Sequence, residues 1–107
     1  MAKEGQLTQE EIEIRKIIIP KDKQVLGVIE QMLGGDRVKV RCDDGNERVC
    51  RIPGRVRKRI WLNVGDLVLV EPWVVQSSER GDVIFKYTTT QANWLKRKGY
   101  VKHISIE

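Results

Sequence analysis

Arg37-Val38-Lys39-Val40-Arg41-Cys42-Asp43-Asp44-Gly45-Asn46-Glu47-Arg48-Val49-Cys50-Arg51-Ile52-Pro53-Gly54 is the stretch on which the fold is read. Val38, Val40 and Cys42 alternate with Arg37, Lys39 and Arg41, the period of two that makes a half-buried strand. Asp44-Gly45 is a hairpin turn signal, and Glu47 to Ile52 reads as the returning strand, stopped by Pro53-Gly54. A two-residue turn would set Val38 opposite Arg51 and Cys42 opposite Glu47, mixing apolar and charged faces. A loop longer by one residue aligns Val40 with Cys50 and Val38 with Ile52, so that register is expected. It places Lys39 opposite Arg51 and Arg41 opposite Val49 on a face that is basic across two strands, and leaves Arg48 on the apolar side at the rim. Like charges facing each other cost stability, which suits a binding surface better than a scaffold.

Outward from the hairpin, the signals stay short and β-like. Val25 to Leu33 reads as the first strand, ended by Gly34-Gly35-Asp36. Arg55 to Asp66 is a long connection with a basic start and a turn at Asn63-Val64-Gly65-Asp66. Leu67 to Glu71, stopped by Pro72, and Asp82 to Tyr87 are the fourth and fifth strands. Thr90 is expected to cap a helix over Gln91 to Lys98, with Gly99 at its end and Lys96 to Lys98 in the last turn, where cations suit the dipole. Thr8 and Glu11 have capping-box spacing, but Ile12, Ile14 and Ile17 to Ile19 keep no helical stripe. The expected architecture is all-β, a five-stranded OB-type Greek-key barrel over residues 21–88. A flexible N-terminal tail over 1–20 precedes it and a short C-terminal helix and tail over 89–107 follow. An SH3-like barrel competes, because counting strands does not fix their order.

Composition bounds the rest. The 107 residues suffice for one modest core, and two cysteines exclude a disulfide-dense scaffold. The longest uncharged stretch, Tyr87 to Leu95, is too short and polar to span a bilayer, and five charges within Met1 to Glu13 exclude an apolar leader. A soluble, cytoplasmic protein with no membrane association is expected. The net charge of +5 averages unlike segments. Residues 1–24 are neutral, whereas residues 37–59 hold nine bases against three acids, a net of +6. Lys96, Arg97, Lys98 and Lys102 form a second group, and the intervening segments are mildly acidic. Such clustering is the footprint of a protein that meets a polyanion.

Nothing in the sequence argues for an enzyme. Cys42 and Cys50 do not face each other and read as buried reduced thiols. His103 is the single histidine, so there is no zinc ligand set and no nucleophile-base motif. Gly34-Gly35 is a turn without a phosphate-binding fingerprint around it. No metal and no cofactor are expected. The basic strand face, Arg37, Lys39, Arg41 and Arg51, with Arg48 at the rim, runs on into Arg55, Arg57, Lys58 and Arg59, and supplies donors for phosphate oxygens. Trp61 follows that cluster, either to stack on an unpaired base or, with Ile60, Leu62 and Val64, to close the barrel. Trp73, Trp94, Phe85 and Tyr87 read as packing residues.

Met32-Leu33-Gly34, Arg37, Cys42-Asp43-Asp44-Gly45, Arg48, Val49-Cys50-Arg51-Ile52, Gly54 to Asn63, Gly65-Asp66 and Asp82 to Tyr87 occur in an order and spacing that resembles the translation initiation factor 1A family in its archaeal form. The resemblance covers most of residues 25–98. It implies an OB barrel that binds RNA of the small ribosomal subunit at the decoding (A-site) region, stabilises initiator tRNA there and promotes subunit dissociation, without catalysis. It further implies a monomer, with initiator tRNA as an indirect partner and other initiation factors as further ones. By motif position Arg37, Arg48, Arg55, Arg57, Lys58 and Arg59 would contact ribosomal RNA, and Trp61 would be structural or RNA-facing. The neutral N-terminal tail and the end soon after the helix depart from eukaryotic members. Two other readings compete. A general single-stranded RNA binder of the cold-shock kind would want aromatics on the basic strands, which have none. An SH3-like protein-interaction module would need an exposed aromatic groove.

Overall fold

The computed structural model describes residues 7–57 and 61–104. Its strands are β1 (Val25–Gly34), β2 (Arg37–Cys42), β3 (Glu47–Arg51), β4 (Leu67–Pro72) and β5 (Arg80–Lys86). They close into a barrel in the order β1-β2-β3-β5-β4. All neighbours are antiparallel except β3 and β5, which run parallel. The long connection between β3 and β4 makes this order possible: it carries the chain across the barrel end, so that β4 pairs with β1 and β5 returns beside β3. This is the expected OB-type arrangement and not the SH3-like one.

Alternation along each strand separates two apolar clusters. Ile29, Val38, Val40, Cys42, Cys50, Val68, Val70 and Val83 point inward and fill the barrel. Leu26, Leu67 and Leu69 point outward, where Tyr87 and the helix α3 (Thr89–Arg97) cover them through Ala92 and Leu95. Each fully buried leucine of this kind contributes about 1.5–3 kcal/mol of hydrophobic stabilisation. Gly27 marks where β1 and β2 run closest, since a Cβ there would meet Val40 Cγ1 at 2.5 Å and Arg41 O at 3.1 Å.

The β2–β3 register differs from the expected one. Val38 pairs with Cys50, Val40 with Arg48, Lys39 with Val49, Arg37 with Arg51 and Arg41 with Glu47. The three-residue turn sits one position earlier than expected, on Asp43-Asp44-Gly45: Gly45 N–H donates to Cys42 O (3.1 Å) and Cys42 N–H to Asn46 O (2.9 Å), with Gly45 at φ +92°. A shift of two residues preserves which face each side chain takes, so the inward set is as read from the alternation. The cross-strand partners change, and Arg41 meets an acid instead of a valine.

Two helix readings are also corrected. Thr88 caps α3, two residues before the expected Thr90: its Oγ1 accepts from Gln91 N–H (3.2 Å), and Gln91 Oε1 accepts from Thr88 N–H (2.9 Å). Of the three successive threonines only Thr88 has a glutamine three places on, and that capping-box spacing selects it over Thr90. Gly99, at φ +82°, then reverses the chain. At the N-terminus, Thr8 and Glu11 do form a capping box, opening α1 (Gln9–Arg15). The segment rests on the outer cluster instead of trailing as a tail. Gln91 Nε2 donates to Glu13 O (2.8 Å), the Tyr87 hydroxyl donates to Ile18 O, and Ile17 and Ile19 pack against the leucines. These anchors are backbone carbonyls and non-helical isoleucines, which a search for a helical stripe does not detect. Residues 1–6 lie outside the described residues.

Candidate nucleic-acid interface

The outward residues of β2 and β3 are Arg37, Lys39, Arg41, Val49 and Arg51, with Glu47 at the hairpin end. Among the described residues no helix covers them, in contrast to the leucines of β1 and β4. Three acids on the same surface hold part of this charge in place. Glu30 Oε1 accepts from Arg41 Nε (2.9 Å), Glu47 lies 3.6 Å from Lys39 Nζ and 3.9 Å from Arg41, and Asp82 Oδ1 is 3.4 Å from Arg51 Nε. Burial works to raise the Glu30 carboxyl, but the Arg41 hydrogen bond and charge outweigh it and hold the group below the ordinary carboxylate range. Arg41 is raised in return, mainly through that hydrogen bond. These contacts are exposed ion pairs, worth little to stability; their effect is to fix where the guanidinium groups stand. Arg37, Arg55 and Arg80 pair with no carboxylate among the described residues.

The parallel pairing of β3 with β5 extends this face beyond what the sequence shows. Arg80 lies opposite Val49, and Asp82 opposite Arg51. Arg37, Arg51 and Arg80 therefore converge on a groove of about 210 Å³ whose wall includes Trp73. The packing role expected of Trp73 is corrected: the residue is partly exposed, and its indole N–H donates to Asp82 Oδ1 (3.0 Å), so one carboxylate orients both the indole and Arg51. Sequence reasoning misses Arg80 and Trp73 because their relevance depends on a strand pairing between segments about 30 positions apart. The only sequence signal is their charge and aromaticity.

Arg48 leaves the exposed set. Its side chain is 4% exposed, and both terminal nitrogens bond to Asp44, at 3.0 Å to Oδ1 and 2.8 Å to Oδ2, while Nε donates to Ser77 O (2.6 Å). Burial works to raise the Asp44 carboxyl, yet the Arg48 hydrogen bond and the Asn46 amide hold it below its ordinary value. A guanidinium that spends three of its five N–H donors within this contact, on a side chain that is buried, braces that turn and the β4–β5 loop and is not presented to a phosphate.

Trp61 is 88% exposed, which excludes the barrel-closing role. Its backbone carbonyl accepts from Lys86 Nζ (2.7 Å), itself paired with Asp66 (3.3 Å), so the indole is presented from a fixed backbone. Arg55 is exposed on the short α2 (Gly54–Arg57), which also holds Arg57; Lys58 and Arg59 lie outside the described residues. The cysteines are both free and buried, and burial pushes the Cys50 thiol up to about 12. No group of metal-ligating side chains occurs among the described residues, and no helix among them is long and apolar enough to cross a membrane.

Comparison with known proteins matches this architecture. The family model "Translation initiation factor 1A / IF-1" matches residues 14–106. Translation initiation factor 1A of Methanothermobacter thermautotrophicus is 49% identical over 98 residues, covering 92% of this chain and 96% of that one. The corresponding proteins of Pyrococcus abyssi and Methanopyrus kandleri are 52% and 57% identical, covering 83% and 80% of this chain and 79% and 77% of theirs. Among solved structures, the translation initiation factor IF-1 of the Wolbachia endosymbiont of Brugia malayi matches with a TM-score of 0.50 at 28% identity, over 64% of this chain and 82% of that one. With the barrel order, the bare basic face and these relatives in agreement, the chain belongs to the translation initiation factor 1A family.

Proposed function

We propose that the chain binds RNA of the small ribosomal subunit at the A-site region, stabilises initiator tRNA on the subunit and promotes subunit dissociation. Members of the family act in translation initiation and catalyse no reaction. The observation that carries the reading is the outer face of β2 and β3, which a barrel otherwise covered by helices leaves bare and basic. Arg37, Lys39, Arg41, Arg51 and Arg55 supply phosphate donors there, joined by Arg80 across the β3–β5 seam and by Arg57, Lys58 and Arg59 from the connection. Trp73, in the wall of the groove shared by Arg37, Arg51 and Arg80, and the exposed Trp61 offer ring surface to unpaired bases. The protein acts as a monomer on this reading, with initiator tRNA and other initiation factors as neighbours on the subunit.

Co-sedimentation with purified archaeal small ribosomal subunits over a salt series tests it. Binding should weaken steeply with salt, by roughly 0.7–0.9 in log-log slope per phosphate contact. Charge reversal at Arg37, and separately at Arg57, Lys58 and Arg59 together, should remove most of the binding while thermal unfolding stays close to that of the parent. Retained binding by the triple variant would sink the assignment of those residues. Indifference of the parent chain to the subunit would sink the function. The exposed Trp61 and the groove-wall Trp73 also suit general single-stranded RNA binding, in which case an unstructured oligonucleotide would compete as well as the subunit does.

A further inference from the structure

The basic window contains two adjacent acids at the tip of its hairpin, Asp43 and Asp44, where a bare negative charge would repel a polyanion. Asp44 is spent on Arg48. Asp43 is spent differently. Its Oδ1 accepts the backbone N–H groups of Lys102 (3.1 Å), His103 (2.6 Å) and Ile104 (3.2 Å), with Oδ2 also 3.2 Å from the first. Asp43 is fixed in turn by its own N–H, which donates to Leu26 O at 2.7 Å. The segment it holds leaves α3 at Gly99, lays Tyr100 on Trp94 (centroids 6.0 Å apart, planes at 18°), buries Val101 among the outer leucines and crosses to the hairpin. His103 and Ile104 then line a groove of about 320 Å³ together with Glu30 and Arg41, at the edge of the basic face.

We propose that residues 100–104 form a strap that adds Lys102 to the RNA-binding face, and that Asp43 is the positioning residue that holds the strap there. This rests on the RNA-binding reading given above. Three successive amides converging on one carboxylate fix the path of the strap: His103 and Ile104 lie along Arg41 and Glu30, and Lys102 stands exposed beside Asp43 and Asp44, where it serves as a phosphate donor at the hairpin end of the face. The same contacts give the Asp43 carboxylate three backbone N–H partners, so that the acid holds the strap instead of standing unpartnered at the tip.

The test compares Asp43→Ala, Asp43→Asn and Lys102→Ala with the parent chain in the small-subunit salt series, alongside hydrogen exchange of the amides of residues 102–104. Removing an acid from an RNA-facing surface would by charge alone tighten binding. The strap requires the opposite: Asp43→Ala should weaken binding and make the log-log salt slope shallower by roughly 0.7–0.9, as should Lys102→Ala, and the double variant should lose no more than either. Asp43→Asn keeps an acceptor oxygen and should restore both slope and exchange protection. Tighter binding by Asp43→Ala, or an unchanged slope for Lys102→Ala, whose exposed side chain carries no folding risk, would overturn the proposal. A parent chain that ignores the subunit while Asp43→Ala still speeds exchange at 102–104 would overturn the RNA reading and with it the role of Lys102.

Discussion

On β1 and β4 the outward residues Leu26, Leu67 and Leu69 lie under α3 and the docked N-terminal segment; on β2 and β3 the outward residues Arg37, Lys39, Arg41 and Arg51 face solvent. Both surfaces come from the same barrel and the same alternation. What differs is which residue type occupies the outward positions, and this decides whether helices close over the sheet or leave it open to a charged partner. Val28 shows how narrow the boundary is: it sits opposite Arg41 in the β1–β2 pair, yet packs against the leucine cluster.

The largest expected effect belongs to the covered face. Leu69→Ala, at a fully buried site, should cost about 3 kcal/mol in chemical denaturation, by lost transfer free energy and a residual cavity, with subunit binding unchanged at temperatures where the variant is folded. Loss of binding out of proportion to unfolding would mean that the two faces are coupled. Next comes the brace beneath the open face. Asp44→Ala strands the buried Arg48 guanidinium and should cost about 2 kcal/mol, less than a fully buried pair because Asp44 is partly solvated. The pH dependence has a defined sign. The folded Asp44 carboxyl lies below its ordinary value of 3.8, so its stabilisation is complete above that value and is lost as pH falls through the lower, folded one. An acid titration of Asp44→Asn should lack this component, and an identical acid limb in parent and variant would exclude it.

On the open face, Trp73→Ala should lower affinity for the small subunit by about 1–2 kcal/mol if a base stacks there, with Trp73→Phe recovering most of it. Equal affinities would remove Trp73 from the site. The smallest effect is expected for Glu47→Gln. Its pairs with Lys39 and Arg41 are exposed, so stability should move by less than about 1 kcal/mol, while RNA binding should tighten slightly as two bases lose a competing acid.

The covered and open faces are unequally legible in the sequence. Alternation in Arg37 to Cys42 assigns every side chain of that strand to its correct face, and parity protects this result even though the expected register is off by two residues. The leucines of β1 and β4 lie in apolar runs, where alternation has nothing polar to contrast with, so the outer cluster and its helical cover cannot be separated from the barrel interior. Arg48 counts as a phosphate contact on sequence alone because charge in a sequence carries no record of what satisfies it. The bidentate contact to Asp44, four positions earlier, depends on where the turn at Gly45 falls.

The seam between β3 and β5 has a consequence for how the molecule comes apart. Arg51 and Arg80 stand on strands joined only by a short parallel ladder, from Val49 with Arg80 to Arg51 with Asp82, and closing it requires segments distant in the chain to meet. An anion that bridges the two arginines binds only the closed barrel, so its binding adds to the free energy of opening. At a free ligand concentration about 100 times Kd this linkage is worth about 2.7 kcal/mol. RNA would then act as a rivet across the shortest ladder, and unfolding of the bound chain should begin elsewhere than at this seam.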